Sequence, residues 1–134
     1  MRSPASVENV FVAANNLAVS LRENKLYAEA TLFLRERIAE ARKALGRDHS
    51  IMLNLYLTHA RNICTNPNAS REDLIEVVTT LENDTYKRSR QVLGEHHPIT
   101  LDAATRLEHA RARLAHEFPG PSPLRDELDD VEDA

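Results

Sequence analysis

Six histidines and a single cysteine are the side chains of this 134-residue sequence best suited to metal binding or nucleophilic chemistry. His96 and His97 are adjacent and His49 stands at a matching point earlier in the chain. Neighbouring residues on a helix point about 100° apart, so His96 and His97 do not converge on one ion. Neither a paired-cysteine spacing nor a His-x-x-x-His pattern with an acidic partner is present, and the sequence therefore predicts no metal ligand. Cys64 falls near a predicted helix end, where a lone cysteine reads as a small buried hydrophobe rather than a thiolate. Of the three glycines, two fit helix ends and one lies among prolines, which leaves none to wrap backbone amides around a phosphate. Lys87-Arg88-Ser89-Arg90 has the composition of a nuclear signal or a phosphosite, but a solvated helix face near a C-terminus accounts for the same residues. No catalytic residue and no cofactor follow from these side chains.

The elements that must position them are announced by a repeated phrase. Ala44-Leu45-Gly46-Arg47-Asp48-His49-Ser50-Ile51 returns as Val92-Leu93-Gly94-Glu95-His96-His97-Pro98-Ile99, and a helical pattern flanks each copy. Self-similarity at this distance is the mark of a repeat array. Val7, Val10, Phe11, Ala14, Leu17, Ala18 and Leu21 predict a first helix over about Ser6 to Arg22. Tyr27, Ala30, Leu34, Ile38, Ala41 and Leu45 predict a second, ended by Gly46 in a left-handed cap. Asp48 or His49 then caps a third, which stops at Thr65-Asn66-Pro67-Asn68. Ser70-Arg71-Glu72-Asp73 resembles a capping box and opens a fourth that buries Leu74, Ile75, Val78, Leu81, Thr85 and Val92 before Gly94. Pro98 starts a fifth through Leu101, Ala104, Leu107, Ala110 and Leu114.

Few aromatics and abundant Ala, Leu, Arg and Glu also place the chain in the all-α class. The charge is uneven. Residues 124–134 carry six acids against Arg125, a net of −5 where the whole chain has −4, so the rest is close to neutral at +1. That body favours neither nucleic acid nor an anionic membrane as partner, and no apolar run reaches membrane length. With no disulfide pair and no export signal, a reducing, cytoplasmic setting is expected. Residues 1–118 read as one helical repeat domain. Residues 119–134 read as a Pro-rich hinge and an acidic disordered tail.

Ala14-Asn15-Asn16-Leu17-Ala18, Tyr27-Ala28-Glu29-Ala30 and the two Leu-Gly-x-x-His links together resemble tetratricopeptide repeats of the kinesin-light-chain type. Ser50 stands where that link usually has proline, Glu108 replaces the small residue held by Ala18 and Ala60, and no Tyr-x-x-Ala counterpart occurs over Arg61 to Arg90. The resemblance implies a right-handed α-solenoid of antiparallel helix hairpins, about five helices or two and a half repeats. The first, third and fifth helices would line its concave groove. Residues facing away from the hairpin partners are then Asn15, Val19 and Arg22, Asn54, Leu57 and Arg61, and Asp102, Thr105 and His109. Asparagine can bond an extended peptide backbone as donor and acceptor, and Arg22 and Arg61 attract acidic groups. The expected function is a non-enzymatic adaptor for a protein or peptide segment. Two alternatives stand beside it: a structural segment of a larger array or a homo-oligomer formed through the first helix, where Val7, Val10 and Phe11 lack a preceding repeat, and an accessory subunit of an enzyme on another chain. Leu124 and Leu128, four apart among acids, have the chemistry of a short helix that docks on the groove arginines, in cis or on a neighbouring chain.

Overall fold

The computed structural model describes residues 4–120, with side chains from Ser6 onward; the acidic segment after Gly120 lies outside the described residues. Every regular element among them is helical: α1 (Pro4–Glu23), α2 (Tyr27–Leu45), α3 (Ser50–Thr65), α4 (Arg71–Thr80), α5 (Lys87–Leu93) and α6 (Pro98–Glu117). A π-helical turn, Leu81–Tyr86, joins α4 to α5 as one rod, so the stack has five rods.

Local chemistry sets the boundaries. His49 Nδ1 accepts the Ile51 N–H at 3.1 Å, and His97 Nδ1 accepts the Ile99 N–H at the same distance, so the repeated histidine is the N-cap of α3 and of α6. The capping box at α4 is complete: the Asp73 N–H donates to Ser70 Oγ at 3.0 Å and the Ser70 N–H donates to Asp73 Oδ2 at 3.3 Å. Gly46 and Gly94 do end α2 and α5, but not in the expected left-handed cap. Their φ values of 84° and 96° are paired with ψ of 168° and 163°, an extended conformation open to glycine that sends the chain straight to the next N-cap. Lys25 takes the left-handed position instead, φ 63°, in the tight turn between α1 and α2, where the Leu26 N–H returns to the Leu21 carbonyl.

The hairpin of α1 and α2 receives α3 against both of its helices, the α4–α5 rod folds back on α3, and α6 lies on α3 and on that rod. α3 is therefore the central element and is buried on most of its circumference. One of its faces joins Phe11, Ala18, Leu34 and Ala41 through Met52, Leu55 and Tyr56. The other joins Leu74, Val78, Leu81, Leu107 and Leu114 through Leu57, Ala60 and Ile63. Ala18 and Ala30 have no exposed surface, as close approach of α1 and α2 requires. Asn62 is also fully buried, and its Nδ2 donates to Thr31 Oγ1 at 2.9 Å and to the Tyr27 carbonyl at 3.2 Å, tying α3 to α2.

Several expected core positions face outward. Val92 is half exposed because the wide π turn stretches the buried interval to Leu81, Thr85 and Ser89, which carries Val92 off the packed face. Leu101 is equally exposed; α6 buries Thr100, Ala103, Leu107, Ala110 and Leu114, since only α3 and the α4–α5 rod cover it among the described residues. Glu108 is exposed on that open side, so its departure from the small-residue pattern costs no packing. Phe11, expected to be uncovered, is buried in the first cluster, while Val10, Val12 and Leu17 on the same helix are exposed.

Candidate functional site

The concave side is built from α1, α3 and α6, which lie side by side and run in one direction. Arg113 on the last turns of α6 donates to the Cys64 carbonyl at 2.7 Å and to the Ile63 carbonyl at 3.1 Å, which fixes the C-terminal halves of α6 and α3 together. It also satisfies carbonyls that the end of α3 leaves without helical partners.

Of the nine residues predicted to line the groove, Asn15, Val19 and Arg22 are half-buried, and Asn54, Arg61, Asp102, Thr105 and His109 are exposed. Leu57 departs from the expectation. It is 6% exposed and packs in the second core cluster, because the central helix is enclosed where a helix at the edge of a stack would be open. Asn15 Oδ1 is buried and has no hydrogen-bond partner. The Thr105 hydroxyl donates to its own helix at the Leu101 carbonyl, 3.1 Å away, and so is engaged locally.

The strongest electrostatic feature was only partly readable from the sequence. Arg22 from α1, Arg61 from α3 and Arg106 from α6 stand close enough to repel one another. Partial burial first, and then the charges of Arg61 and Arg106, lower the pKa of Arg22 against the opposing effect of Glu23. Asp102 Oδ1 is 3.3 Å from Arg106 Nε. Among the described residues neither Arg22 nor Arg61 has a carboxylate within ion-pair distance. Arg106 was missed because it lies one position from Thr105 on the helix; its i, i+4 relation to Asp102 was the available signal.

The other chemistry-bearing side chains serve the fold. Cys64 is half-buried and its thiol pKa is raised by burial, against the charges of Arg113 and Arg106. Ser89 is fully buried and its hydroxyl bonds the Thr85 carbonyl, which removes it as an accessible phosphosite. Arg88, in the same basic run, pairs with Asp48 at 2.9 Å. His59 is buried between hairpins, its Nε2 3.9 Å from Glu76 Oε2, while Arg35 Nη2 binds the same oxygen at 2.8 Å. Among the described residues no three His, Cys, Asp or Glu side chains gather into a metal-holding group, and no described helix is long and apolar enough to cross a membrane.

Residues 10–51, from the middle of α1 through α2 to the start of α3, match the family model of the tetratricopeptide repeat. The match covers one helix hairpin and the Leu-Gly-x-x-His link that follows it, the segment where Ala18 and Ala30 allow close approach. The architecture is thus a tetratricopeptide-like stack of helix hairpins, an arrangement whose general use is protein–protein interaction. No curated protein and no solved structure matches the chain.

Proposed function

We propose that this chain is a non-enzymatic interaction module of the kinesin-light-chain-like type that binds a peptide or protein segment along the face formed by α1, α3 and α6. The observation that carries this reading is the concentration on one face of unsatisfied recognition groups: Arg22 and Arg61 without counter-charges and Asn15 Oδ1 without a donor. Guanidinium forks select carboxylates, and asparagine can hold a peptide backbone whatever its side chains. The Leu-Gly-x-x-His links support the subtype, and the single half-buried Cys64 suits a reducing, cytoplasmic setting. The test takes peptides selected from a random display library against the full chain. Asn15→Ala with Arg61→Ala should leave the thermal midpoint unchanged, as both side chains lack structural partners, and weaken the selected peptides at least tenfold. A double variant that melts early and keeps its affinity would overturn the assignment of the face.

A second reading has its own observation. Val10, Val12, Leu17, Leu26 and Leu32 are all exposed, and all lie on the first hairpin. An apolar surface gathered on one end of a stack suits self-association or the docking of a further repeat. Light scattering on the eluting chain tests it: a dimer dissolved by Leu17→Glu with Leu32→Glu supports the reading, and a monomer at millimolar concentration removes it.

A further inference from the structure

The groove lacks negative charge, and the same chain carries a surplus of it a short distance away. We infer that residues 124–133 of this chain occupy the Arg22, Arg61 and Arg106 face in cis, as an intramolecular competitor for the partner segment. The inference rests on the proposed function, since it takes that groove as the binding face.

Three observations converge. The first is complementarity: six acids from Asp126 to Asp133 against one arginine, opposite a cluster of guanidinium groups of which two have no ion pair among the described residues. The second is the exit point. α6 ends at Glu117, and Phe118 packs on the second core cluster beside it. Arg113, one turn earlier, is bonded to the end of α3, so the chain leaves the stack at the end of the groove where Arg22 and Arg61 lie on the last turns of α1 and α3. The third is reach. Neighbouring helices are about 10 Å apart, which puts α1 about 20 Å from α6. The six residues 118–123 span up to about 20 Å when extended, enough to bring Asp126 and Glu127 over Arg61 and the following acids over Arg22. Leu124, Leu128 and Val131 recur at helical spacing among those acids and supply an apolar component beside the charge. An intramolecular competitor acts at a millimolar effective concentration when its linker matches the span, so even weak contacts hold the face. Glu23 beside Arg22 and Asp102 beside Arg106 leave Arg61 as the most exposed cation of the three.

The experiment places a nitroxide on Leu128→Cys in a Cys64→Ser full-length chain and follows relaxation broadening of backbone amide signals. Broadening at Asn15, Arg22 and Arg61, lost in 0.5 M NaCl and lost with Arg22→Gln and Arg61→Gln, supports the inference. Broadening confined to the end of α6, or unaffected by those substitutions, overturns it. Broadening that persists at equal strength when labelled unenriched chain is mixed with unlabelled enriched chain assigns the segment to a second copy and also overturns it. A parallel arm changes the six acids to their amides within the full chain and measures the library-selected peptides. The inference expects about tenfold tighter binding. Equal binding by both chains overturns the inference while leaving the groove reading intact, whereas loss of the groove reading appears as peptides indifferent to Asn15→Ala and Arg61→Ala.

Discussion

Replacing His97 by alanine tests whether the repeated histidines act as helix caps. His97 Nδ1 accepts the Ile99 N–H at 3.1 Å with the backbone at φ −66° and ψ 140°, the extended geometry of an N-cap. Removing the acceptor leaves one amide of the first turn of α6 without a partner, a loss of about 1 kcal/mol within the usual range for N-caps. For a domain of this size that is about 4 °C in the thermal midpoint. His49→Ala removes the same cap from α3 and more. Because Nδ1 accepts the Ile51 N–H, the proton of the neutral ring sits on Nε2, from which it donates to Glu8 Oε1 at 3.2 Å. That contact is partly exposed and adds at most about 1 kcal/mol. The asymmetry is testable: His49→Ala costs more than His97→Ala, and the difference vanishes in a Glu8→Gln background. Urea unfolding followed by circular dichroism gives the free energies, and amide exchange shows whether the His97 loss is confined to α6. Asparagine is a strong N-cap, so His97→Asn should recover most of the loss. If it is as damaging as alanine, ring packing rather than capping explains the histidine and the reasoning fails.

Other expectations follow from burial and charge. Ala18→Arg places an unpaired charge at a position with no exposed surface and should abolish the cooperative melt, with a penalty above about 4 kcal/mol. Asn62→Ala should cost about 2 kcal/mol through lost bonds to Thr31 and Tyr27 and a small cavity, while Asn62→Leu, which fills the space and removes a buried oxygen without a partner, should cost less; chemical denaturation of both separates the terms. His59, and with it Arg35, hold the Glu76 carboxyl at about 2, below its ordinary 4.5, although partial burial works the other way. A depressed folded pKa means this contribution is complete above pH 4.5 and is lost as the pH falls from there towards 2. Glu76→Gln should therefore destabilise the protein at pH 6 and match wild type near pH 2 in a series of thermal melts.

Periodicity and punctuation are local properties, and they were legible. Pro98, the Ser70 to Asp73 box, the two histidine caps and the glycine ends marked the rods without reference to any neighbour, because each acts within one turn of backbone. Burial of the small residues Ala18 and Ala30 was legible for a related reason, since a tight hairpin joins the helices they separate. Which face of a helix is covered was legible only where both neighbours are implied by the repeat. α3 is enclosed by four helical segments, so Leu57, expected in the groove, went into the core. α6 has neighbours on one side among the described residues, so Leu101 was released to solvent. The π turn that turned Val92 outward has no signature in the hydrophobic pattern, because an added residue per turn is decided by what the rod must pack against. The gathering of Arg22, Arg61 and Arg106 is likewise tertiary. Each arginine is ordinary on its own helix, and a site arises only because three parallel helices bring like charges together without bringing their counter-charges.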